Sequence, residues 1–568
     1  LKIDLLGLGM LSAVERAVTY IAEARGERID LSRIALDDPP TFEAIRAAET
    51  TGVFQIESRA QMQMLPRSLP ETLDDVVVQV ALVRPGPIQG GAVHPYLERR
   101  RLLREDPTYQ VPYEHPSLEP ILADTLGAIV FQDQVIQVAM ALAGFSAGEA
   151  EGLRRAMSRK RSDAALNAYG ESFVAGAIDR GVDRMLAERV FEQVRGFSGF
   201  GFPKSHAAAF GLLAYQSTWL RVHYGPEFLC ALFNEQPMGF YPPDSLAHEA
   251  QRRGIEVLAV DVNASGVECT VEPGAGEPAV RFGLGYIKGI AEEEVRALVS
   301  ERAGGGRYRD LADLASRSGV GRDGLERLAW AGACESVGVA AGGAGDEGRR
   351  TVLWRLGVAR GSERSRGRSH AQLALPLPLP AAPGLRPLDS WERIVADYSA
   401  TGVTLGEHPV EVLRNELPAE LVRCGELATI ADRTPVRIAG MVVARQRPAT
   451  AKGIVFMLFE DETGVVNVIV LPPVYERCRL AVRTASFALL TGTLERRENV
   501  INVIASSVER LSLPSHTEAT VRHIEPSTER ETGRDPDTLE RPAVAVAGGA
   551  AAEIAAVAPR PHSFGRRG

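Results

Sequence analysis

The spacing of apolar residues predicts helices over most of the first half of the chain and strands near its end. LKIDLL, at residues 1–6, favours a strand, and residues 11–25 favour a helix. A buried strand is predicted at residues 127–131, and a capping box at residues 146–149 opens a later helix. Residues 435–512 carry five alternating segments and one short helix, which is typical of a five-stranded OB-type β-barrel.

Residues 197–224, FSGFGFPKSHAAAFGLLAYQSTWLRVHY, join a glycine-rich aromatic turn to an apolar helix. Gly199 and Gly201 let the backbone turn tightly and approach a ligand. Lys204 and His206 stand at the helix start, where free backbone N–H groups and the positive end of the helix dipole favour an anion. The pattern predicts a phosphate site. The alternative is a buried helix whose lysine and histidine extend from its end without a ligand.

A second concentration of positive charge ends the helix that follows the capping box. The sequence LRRAMSRKR has no acid among its cations, which are Arg154, Arg155, Arg159, Lys160 and Arg161. Because residues one helical turn apart share a face, these cations would form a dense basic surface. We expect a polyanion there; the alternative is a helix end that faces solvent.

Two single charged residues stand in unusual surroundings. Arg84 precedes Pro-Gly-Pro, a rigid turn that would hold the guanidinium at a fixed angle. Asp4 is a lone carboxylate in an apolar strand, where burial is costly unless the charge is paired or binds a metal. The alternative for Asp4 is the solvent face of an edge strand.

Three further segments have the composition of binding modules. FGLGYIKGI, residues 282–290, precedes a helix and predicts a helix-hairpin-helix whose backbone N–H groups grip a DNA phosphate, with a weaker copy at residues 318–333. QLALPL, residues 372–377, is typical of an extended peptide that docks in a partner's groove. Basic residues of the barrel predict a groove for a single strand: Arg437, Arg445, Arg447 and Lys452. The alternatives are an αα-corner, a Pro-rich spacer and a barrel without a ligand.

Composition narrows the class of protein. A chain of 568 residues implies roughly three to five domains. The net charge of −9 argues against indiscriminate coating of nucleic acid, although a local basic groove remains compatible with it. The five cysteines form no CxxC pair, which excludes a zinc ribbon and favours a reducing cytosol.

No apolar run is long enough to span a bilayer, so no membrane is expected as a partner. Because the chain begins without Met, we expect a fragment that lacks its N-terminal part.

The motifs together resemble bacterial C-family DNA polymerases of the polymerase III alpha type. KIDLLGLGML, TGVFQIES, ALVRPGP, QDQVIQVA, LRRAMSRK and GFPKSHAAAFGLLAYQSTWLRVHYGPEF occur in this order, and the resemblance extends to about Leu513. NEQPMGFY and the lack of a domain after the barrel look most like the error-prone, damage-inducible branch. The resemblance implies a multidomain α+β fold. Its parts are the end of the palm at 1–25, helical fingers at 26–240, a helix-hairpin-helix region at 241–345, a linker with a clamp-binding peptide at 346–385, a connector at 386–434, an OB barrel at 435–512 and a disordered tail at 513–568.

The resemblance also implies roles for single residues. Asp4 matches a catalytic carboxylate that binds Mg²⁺ in a two-metal mechanism. The incoming triphosphate would be held by Arg154, Arg155, Lys204 and His206, with Arg84, Gln132, Gln134 and Lys160 as second-rank candidates. DNA would be gripped by Gly285, Lys288, Gly289 and the four basic residues of the barrel. A β sliding clamp would bind Gln372, Leu373, Leu375 and Leu377.

In this family, two further catalytic carboxylates and a PHP domain precede the position of Leu1. Since Asp4 alone cannot hold two Mg²⁺ ions, we expect this piece to be inactive without them. The predicted function is error-prone DNA-directed DNA polymerisation in the cytoplasm. The predicted partners are primer–template DNA, dNTPs, the clamp and mutasome accessory proteins. The alternatives are a replicative alpha subunit and a non-catalytic DNA-binding scaffold.

Overall fold

Helices fill the first part of the chain, as the apolar spacing predicts, and the strands of a barrel follow near its end. The structure is a computed structural model that describes residues 7–158, 163–197, 202–274, 276–338, 348–358, 382–448, 451–497, 500–511 and 562–564. Three hydrophobic cores organise these residues. The largest joins most of the helices to one side of the barrel, the second lies within residues 118–197, and the third fills the barrel.

The first part of the chain is helical throughout. Its helices are α1 Leu8–Arg25, α2 Pro39–Arg46, α3 Arg59–Ser68, α4 Leu73–Leu82, α5 Pro85–Gln89, α6 Val93–Glu105, α7 Glu119–Leu122, α8 Gln132–Ala143, α9 Ala147–Ser158, α10 Asp163–Asp179, α11 Arg184–Arg195, α12 Lys204–His223, α13 Gly225–Asn234 and α14 Pro243–Arg252. The predicted capping box before α9 is present, since Ser146 and Glu149 bond each other's backbone N–H. The strand predicted at residues 127–131 is not present: this stretch is assigned to no strand and pairs with none of the strands in the described part of the chain.

Helix α12 crosses the middle of the large core and packs along α4. Gly211 makes the close crossing possible, because a Cβ there would lie 2.7 Å from Val77 Cγ2 and 3.2 Å from Val77 Cα. The buried Tyr215 hydroxyl donates to the carbonyl of Ala35 at 2.8 Å and accepts the N–H of Asp38 at 3.0 Å. These contacts fix α12 along its length, and its first turn is therefore held in place.

Helices α7–α11 build the second core beside the first. Phe173 lies at its centre, with ring centroids 6.1 Å from Phe145 and 5.4 Å from Phe191. This core supports α8 and α9, whose ends carry several of the predicted site residues.

The middle of the chain adds a small sheet and further helices. The strands are β1 Val257–Leu258, β2 Thr270–Glu272 and β3 Ala279–Arg281, in the order β1-β3-β2, with β1 parallel and β2 antiparallel to β3. The helices are α15 Glu292–Gly305, α16 Leu311–Arg317, α17 Arg322–Trp330, α18 Glu335–Gly338, α19 Arg349–Val358, α20 Ser390–Ala400 and α21 Pro409–Leu413.

The five predicted strands form a closed barrel. They are β4 Pro435–Gln446, β5 Val455–Asp461, β6 Gly464–Val470, β7 Phe487–Arg497 and β8 Val500–Arg510, with helix α22 Pro472–Thr484 between β6 and β7. The order β5-β6-β8-β7-β4 closes through a β4–β5 pairing, and β6 and β8 are parallel. Closure leaves little edge exposed, which is how an OB barrel avoids edge-to-edge aggregation.

One short strand lies within residues 513–568, the predicted disordered tail. The backbone of His562–Phe564, strand β9, pairs in parallel with residues 444–446 of β4. The reason lies in β4 itself. The pairing of β4 with β7 ends at Met441, so the backbone of β4 after this residue can pair with another strand on that side.

A buried group of charged residues joins α14 to strand β5 of the barrel. Glu460 Oε1 accepts from Arg252 Nη1 at 2.8 Å, and Oε2 accepts from the Ser245 hydroxyl at 3.3 Å. His248 lies between two carboxylates, with Nδ1 3.5 Å from Glu460 and Nε2 3.8 Å from Asp244. Burial disfavours the charge on His248, but Asp244 and Glu460 outweigh it and raise the pKa of the ring. The barrel is thus held to the helical body by buried ionic contacts.

His408 completes this junction as a neutral ring. Its Nδ1 accepts the N–H of Val410 at 3.1 Å, which leaves the ring proton on Nε2. Burial and the charge of His248 lower its pKa to about 3. His248, His408 and Glu460 have ligand atoms within 4.8 Å of one another, a spacing that a metal ion could use. However, the proton on Nε2 and the guanidinium of Arg252 on Glu460 both oppose a cation, so we interpret the junction as an ion-pair network.

Substituting Gly211 by Ala tests the crossing of α12 and α4. The added Cβ would lie 3.3 Å from the backbone N of Val77 as well as close to its side chain, so the helices must move apart. We expect the free energy of unfolding to fall by about 1–3 kcal/mol, measured by urea denaturation. The matched control is Gly148→Ala in α9, where nothing lies within 4 Å of the added atom. Equal effects of the two substitutions would contradict the close crossing.

Substituting His408 by Asn tests the neutral ring at the barrel junction. The pKa of His408 falls from its ordinary 6.5 to about 3, so below pH 6.5 the unfolded chain takes up a proton that the folded chain refuses. This group should therefore lower the free energy of unfolding by about 2 kcal/mol between pH 7 and pH 5. His408→Asn keeps an acceptor for the N–H of Val410 and should lose that part of the pH dependence, measured by denaturation at both pH values. His94→Asn, at an exposed histidine, is the control, and unchanged pH dependence in His408→Asn would refute the assignment.

Candidate functional site

The starts of α8 and α12 meet, and each contributes to the other. The N–H of Gln132 donates to the carbonyl of Phe202 at 3.1 Å, and the N–H of Lys204 donates to Asp133 Oδ2 at 2.7 Å. The prediction that the N–H groups at the start of α12 are free is therefore wrong for Lys204. A carboxylate on the first turn of a helix is favoured by the same dipole that would favour a phosphate.

The side chain of Lys204 also has an acidic partner. Its Nζ donates to Asp124 Oδ2 at 2.6 Å, and both side chains are about half exposed or more, at 49% and 68%. An ion pair so open to solvent is weak and is readily exchanged for another anion.

Phe202 brings two predicted residues together. The Arg84 guanidinium lies 3.6 Å from the centre of the Phe202 ring, and the His206 ring lies 5.0 Å from it. Arg84 stands directly before α5 and also donates from Nη2 to Gln55 Oε1 at 3.0 Å. His206 continues the stack to Phe210 at 4.4 Å. The rigid turn after Arg84 thus holds the guanidinium beside the first turn of α12.

Arg154 and Arg155 share one acidic partner. Glu151 accepts from Arg154 Nε and Nη2 at 2.7 and 2.6 Å and from Arg155 Nε at 3.0 Å. The hydrogen bonds from these two guanidinium groups lower the pKa of Glu151 to about 2. The interpretation of this helix end as a basic surface without an acid is therefore wrong: Glu151 lies one turn upstream, outside the stretch in which an acid was sought. Arg154 is also attracted by Asp133, which connects it to the start of α12.

Gln134 has no capacity left for a ligand. Its Oε1 accepts from the N–H groups of Val130 and Phe131, and its Nε2 donates to Ile121 O and Thr125 Oγ1. The side chain is buried and holds the loop before α8 in place. The described residues that do converge are Arg84, Gln132, Arg154, Lys204 and His206, with Arg155 at the exposed margin.

Several predicted residues lie outside the described part of the chain. These are the catalytic and metal-binding candidate Asp4, the triphosphate candidate Lys160, and the clamp-binding candidates Gln372, Leu373, Leu375 and Leu377. Within the described part of the site, the carboxylates of Asp124 and Asp133 are bonded to Lys204 and so do not form a Mg²⁺ site.

The predicted hairpin places Lys288 against another helix. The N–H of Lys288 donates to Ala400 O at 2.8 Å, and its Nζ donates to Tyr398 O at 2.7 Å, so the ammonium satisfies the end of α20. Lys288 remains an exposed residue, and its contact with DNA stays a prediction. Gly285 donates its N–H to Val267 O. Gly289 has a φ of 84° and lies beside the exposed guanidinium of Arg327, a cation that sequence reasoning missed.

The four basic residues predicted to line the barrel groove differ in their surroundings. Arg445 is buried and donates to the carbonyls of Val482 and Ala485, so its prediction as a DNA contact is wrong. A bulge between Val442 and Ala444 shifts the alternation of β4 by one residue and turns Arg445 inward. Burial lowers the pKa of this guanidinium to about 10.

The other three basic residues of the barrel remain at its surface. Arg437 pairs with Glu420 at 2.7 Å. Arg447 lies 4.5 Å from the centre of the Tyr475 ring and close to Gly453, the neighbour of the exposed Lys452. Arg447 and Lys452 therefore flank the connection between β4 and β5, one of the loops through which OB folds bind ligands.

Comparisons with known proteins assign each part of this architecture. The bacterial DNA polymerase III alpha subunit finger domain matches residues 10–181, a helix-hairpin-helix motif matches residues 254–341, and an OB-fold nucleic acid binding domain matches residues 436–511. None of the helices in the described part of the chain has both the length and the apolar character needed to cross a membrane.

Curated relatives match nearly the whole chain. Proteins named error-prone DNA polymerase from Anaeromyxobacter sp. strain K, Burkholderia pseudomallei and Pseudomonas fluorescens are 43%, 44% and 42% identical over 541, 527 and 519 residues. These matches cover 92%, 90% and 90% of this chain but only 46%, 48% and 48% of the relatives, so the chain spans about half of their length. The chain thus carries matches to the finger, helix-hairpin-helix and OB domains in this order, and over nearly its whole length it is similar to proteins named error-prone DNA polymerase.

Proposed function

We propose that this chain supplies the nucleotide-binding fingers and the DNA-gripping part of an error-prone DNA-directed DNA polymerase. The observation that carries the proposal is the convergence of Arg84, Arg154, Lys204 and His206 on the adjoining starts of α8 and α12. Arg84 and Arg154 lie within the segment that matches the finger domain. Lys204 lies outside this segment and contacts it through Asp133.

In the proposed reaction, the cationic groups bind and orient the incoming dNTP. Guanidinium forks on Arg154 and Arg155 suit phosphate oxygens, while the Lys204 ammonium adds a point charge beside the helix start. The stacked side chains of Arg84, Phe202 and His206 would form one side of the proposed nucleotide site. Asp4 is the carboxylate that the family resemblance assigns to bound Mg²⁺, which would supply charge neutralisation at the primer 3′-hydroxyl and the departing pyrophosphate.

The proposed partners follow from the remaining modules. The hairpin around Gly289 with Arg327 would contact the backbone of primer–template DNA, and Arg447 and Lys452 would contact a single strand. QLALPL, residues 372–377, would bind a β sliding clamp, and mutasome accessory proteins are proposed as further partners. The proposed location is the cytoplasm.

Substitution of Arg154 and Lys204 tests the nucleotide site. We expect Arg154→Ala with Lys204→Ala to weaken binding of a fluorescent dATP analogue at least tenfold, because two charge-assisted contacts to the triphosphate are lost. Affinity for a primer–template duplex should change less than threefold. Arg184→Ala, which removes an exposed guanidinium from α11, is the control. A loss of DNA affinity as large as the loss of nucleotide affinity would argue against the assignment.

Substitution of Arg447 and Lys452 tests the surface of the barrel. Each phosphate contact adds roughly 0.7 to the slope of log K against log salt for single strands, so Arg447→Ala with Lys452→Ala should reduce this slope by about 1.4. Anisotropy of a labelled oligonucleotide at several salt concentrations measures it. Arg437→Ala is the matched control, because Arg437 is already paired with Glu420. If the control lowers the slope equally, the strand follows a different path over the barrel.

A further inference from the structure

Three cations at the candidate triphosphate site, Lys204, Arg154 and Arg155, already have an acidic partner from this chain. Asp133 accepts the first N–H of α12 at 2.7 Å, Asp124 pairs with the Lys204 ammonium at 2.6 Å, and Glu151 holds Arg154 and Arg155. Three carboxylates thus stand where phosphate oxygens are expected. A triphosphate that approached this arrangement unchanged would meet repulsion from all three.

These acidic residues differ from the structural ones in how easily they can leave. Glu151 and Asp124 have side chains that are 35% and 68% exposed, and each pairs with a partner on the surface. Exposed pairs of this kind are weak, since water replaces most of the interaction. By contrast, the acidic residues at the barrel junction, Asp244 and Glu460, are fully enclosed. Asp133 is exposed as well. Its carboxylate and that of Glu151 can therefore rotate into solvent while the buried contacts of the fold remain.

We propose that Asp133 and Glu151 are internal competitors of the nucleotide, which occupy the Lys204 N–H and the Arg154 and Arg155 guanidinium groups until a triphosphate displaces them. The proposal rests on the function proposed above. No covalent step is involved: phosphate oxygens replace carboxylate oxygens on the same donors. The two acids set the affinity threshold for dNTPs, and they keep the arginines oriented while the site holds no nucleotide.

The identity of the donors explains why these two acids are the ones to compete. Glu151 binds Arg154 through two parallel N–H···O bonds, the same fork geometry by which a guanidinium binds a phosphate. Asp133 uses the first N–H of a long buried helix, which is also the group that helices offer to phosphates. Asp124 contacts only the flexible lysine side chain and is expected to compete less.

Nucleotide binding by the full chain tests the proposal. The variants are Glu151→Gln, Asp133→Asn and Arg154→Ala, with binding of a fluorescent dATP analogue measured by anisotropy at constant salt. Glu151→Gln should tighten binding by about two- to fivefold, the range expected for an exposed ion pair that no longer has to be broken. Asp133→Asn should also tighten binding, because a neutral amide oxygen holds the Lys204 N–H less strongly than a carboxylate does and does not repel the triphosphate. Asn at position 133 retains an oxygen for the Lys204 N–H, so α12 keeps its cap. The control is Glu188→Gln, which neutralises an acid paired with Arg184 four residues earlier on α11 and should leave affinity unchanged.

A double-mutant cycle separates competition from general repulsion. If Glu151 acts by occupying Arg154, the gain from Glu151→Gln should largely disappear in the Arg154→Ala background. A gain that persists there, or an equal gain from Glu188→Gln, overturns the proposal. If Arg154→Ala weakens binding but neither acid substitution tightens it, only this inference fails. If neither the wild type nor any variant binds the analogue, the proposed function fails and the inference fails with it.

Discussion

The starts of helices α8 and α12 are joined by two hydrogen bonds, one from a backbone N–H to a backbone carbonyl and one to the carboxylate of Asp133. The bond of Asp133 to the N–H of Lys204, together with the bond from the Gln132 N–H to Phe202, ties the start of α8 to the start of α12. Because α12 is clamped against α4 along its buried side, this one junction determines where Phe202 lies. Phe202 in turn positions Arg84 and His206, so the geometry of the site depends on a contact between two helix starts.

Patterns that involve many residues could be predicted from the sequence. The five strands of the barrel follow from period-two alternation, and α12 follows from its long apolar run and the glycine-rich turn before it. The roles of single polar or charged residues are harder to predict from the sequence. Arg445, Lys288 and Gln134 all looked available for ligands, yet each is used by a distant backbone carbonyl or by a local loop. A bulge that shifts alternation, or a helix end that approaches from another part of the chain, leaves no local trace in the sequence.

The acidic residues of the site were missed for a related reason. Asp133 is part of the QDQ motif and Glu151 lies on the same helix as the two arginines, so both were visible. Positive charge considered alone suggests a bare basic surface, whereas the fold pairs Arg154, Arg155 and Lys204 with carboxylates. Clustered cations repel one another, and nearby carboxylates reduce that cost while no ligand is bound. An acidic residue three or four positions from a predicted anion-binding arginine on the same helix therefore indicates that the two side chains pair when no ligand is bound.

The ionic junction of Glu460, Arg252, His248 and Asp244 has a mechanical consequence for the whole chain. Separating the barrel from the helical body would hydrate carboxylates that are now shielded, and it would break the Gln63–Asn502 bond between α3 and β8 as well. We therefore expect the barrel to keep one orientation relative to the helices. Under the proposed function, a single strand bound both at the fingers and at Arg447 would therefore span a fixed distance between them.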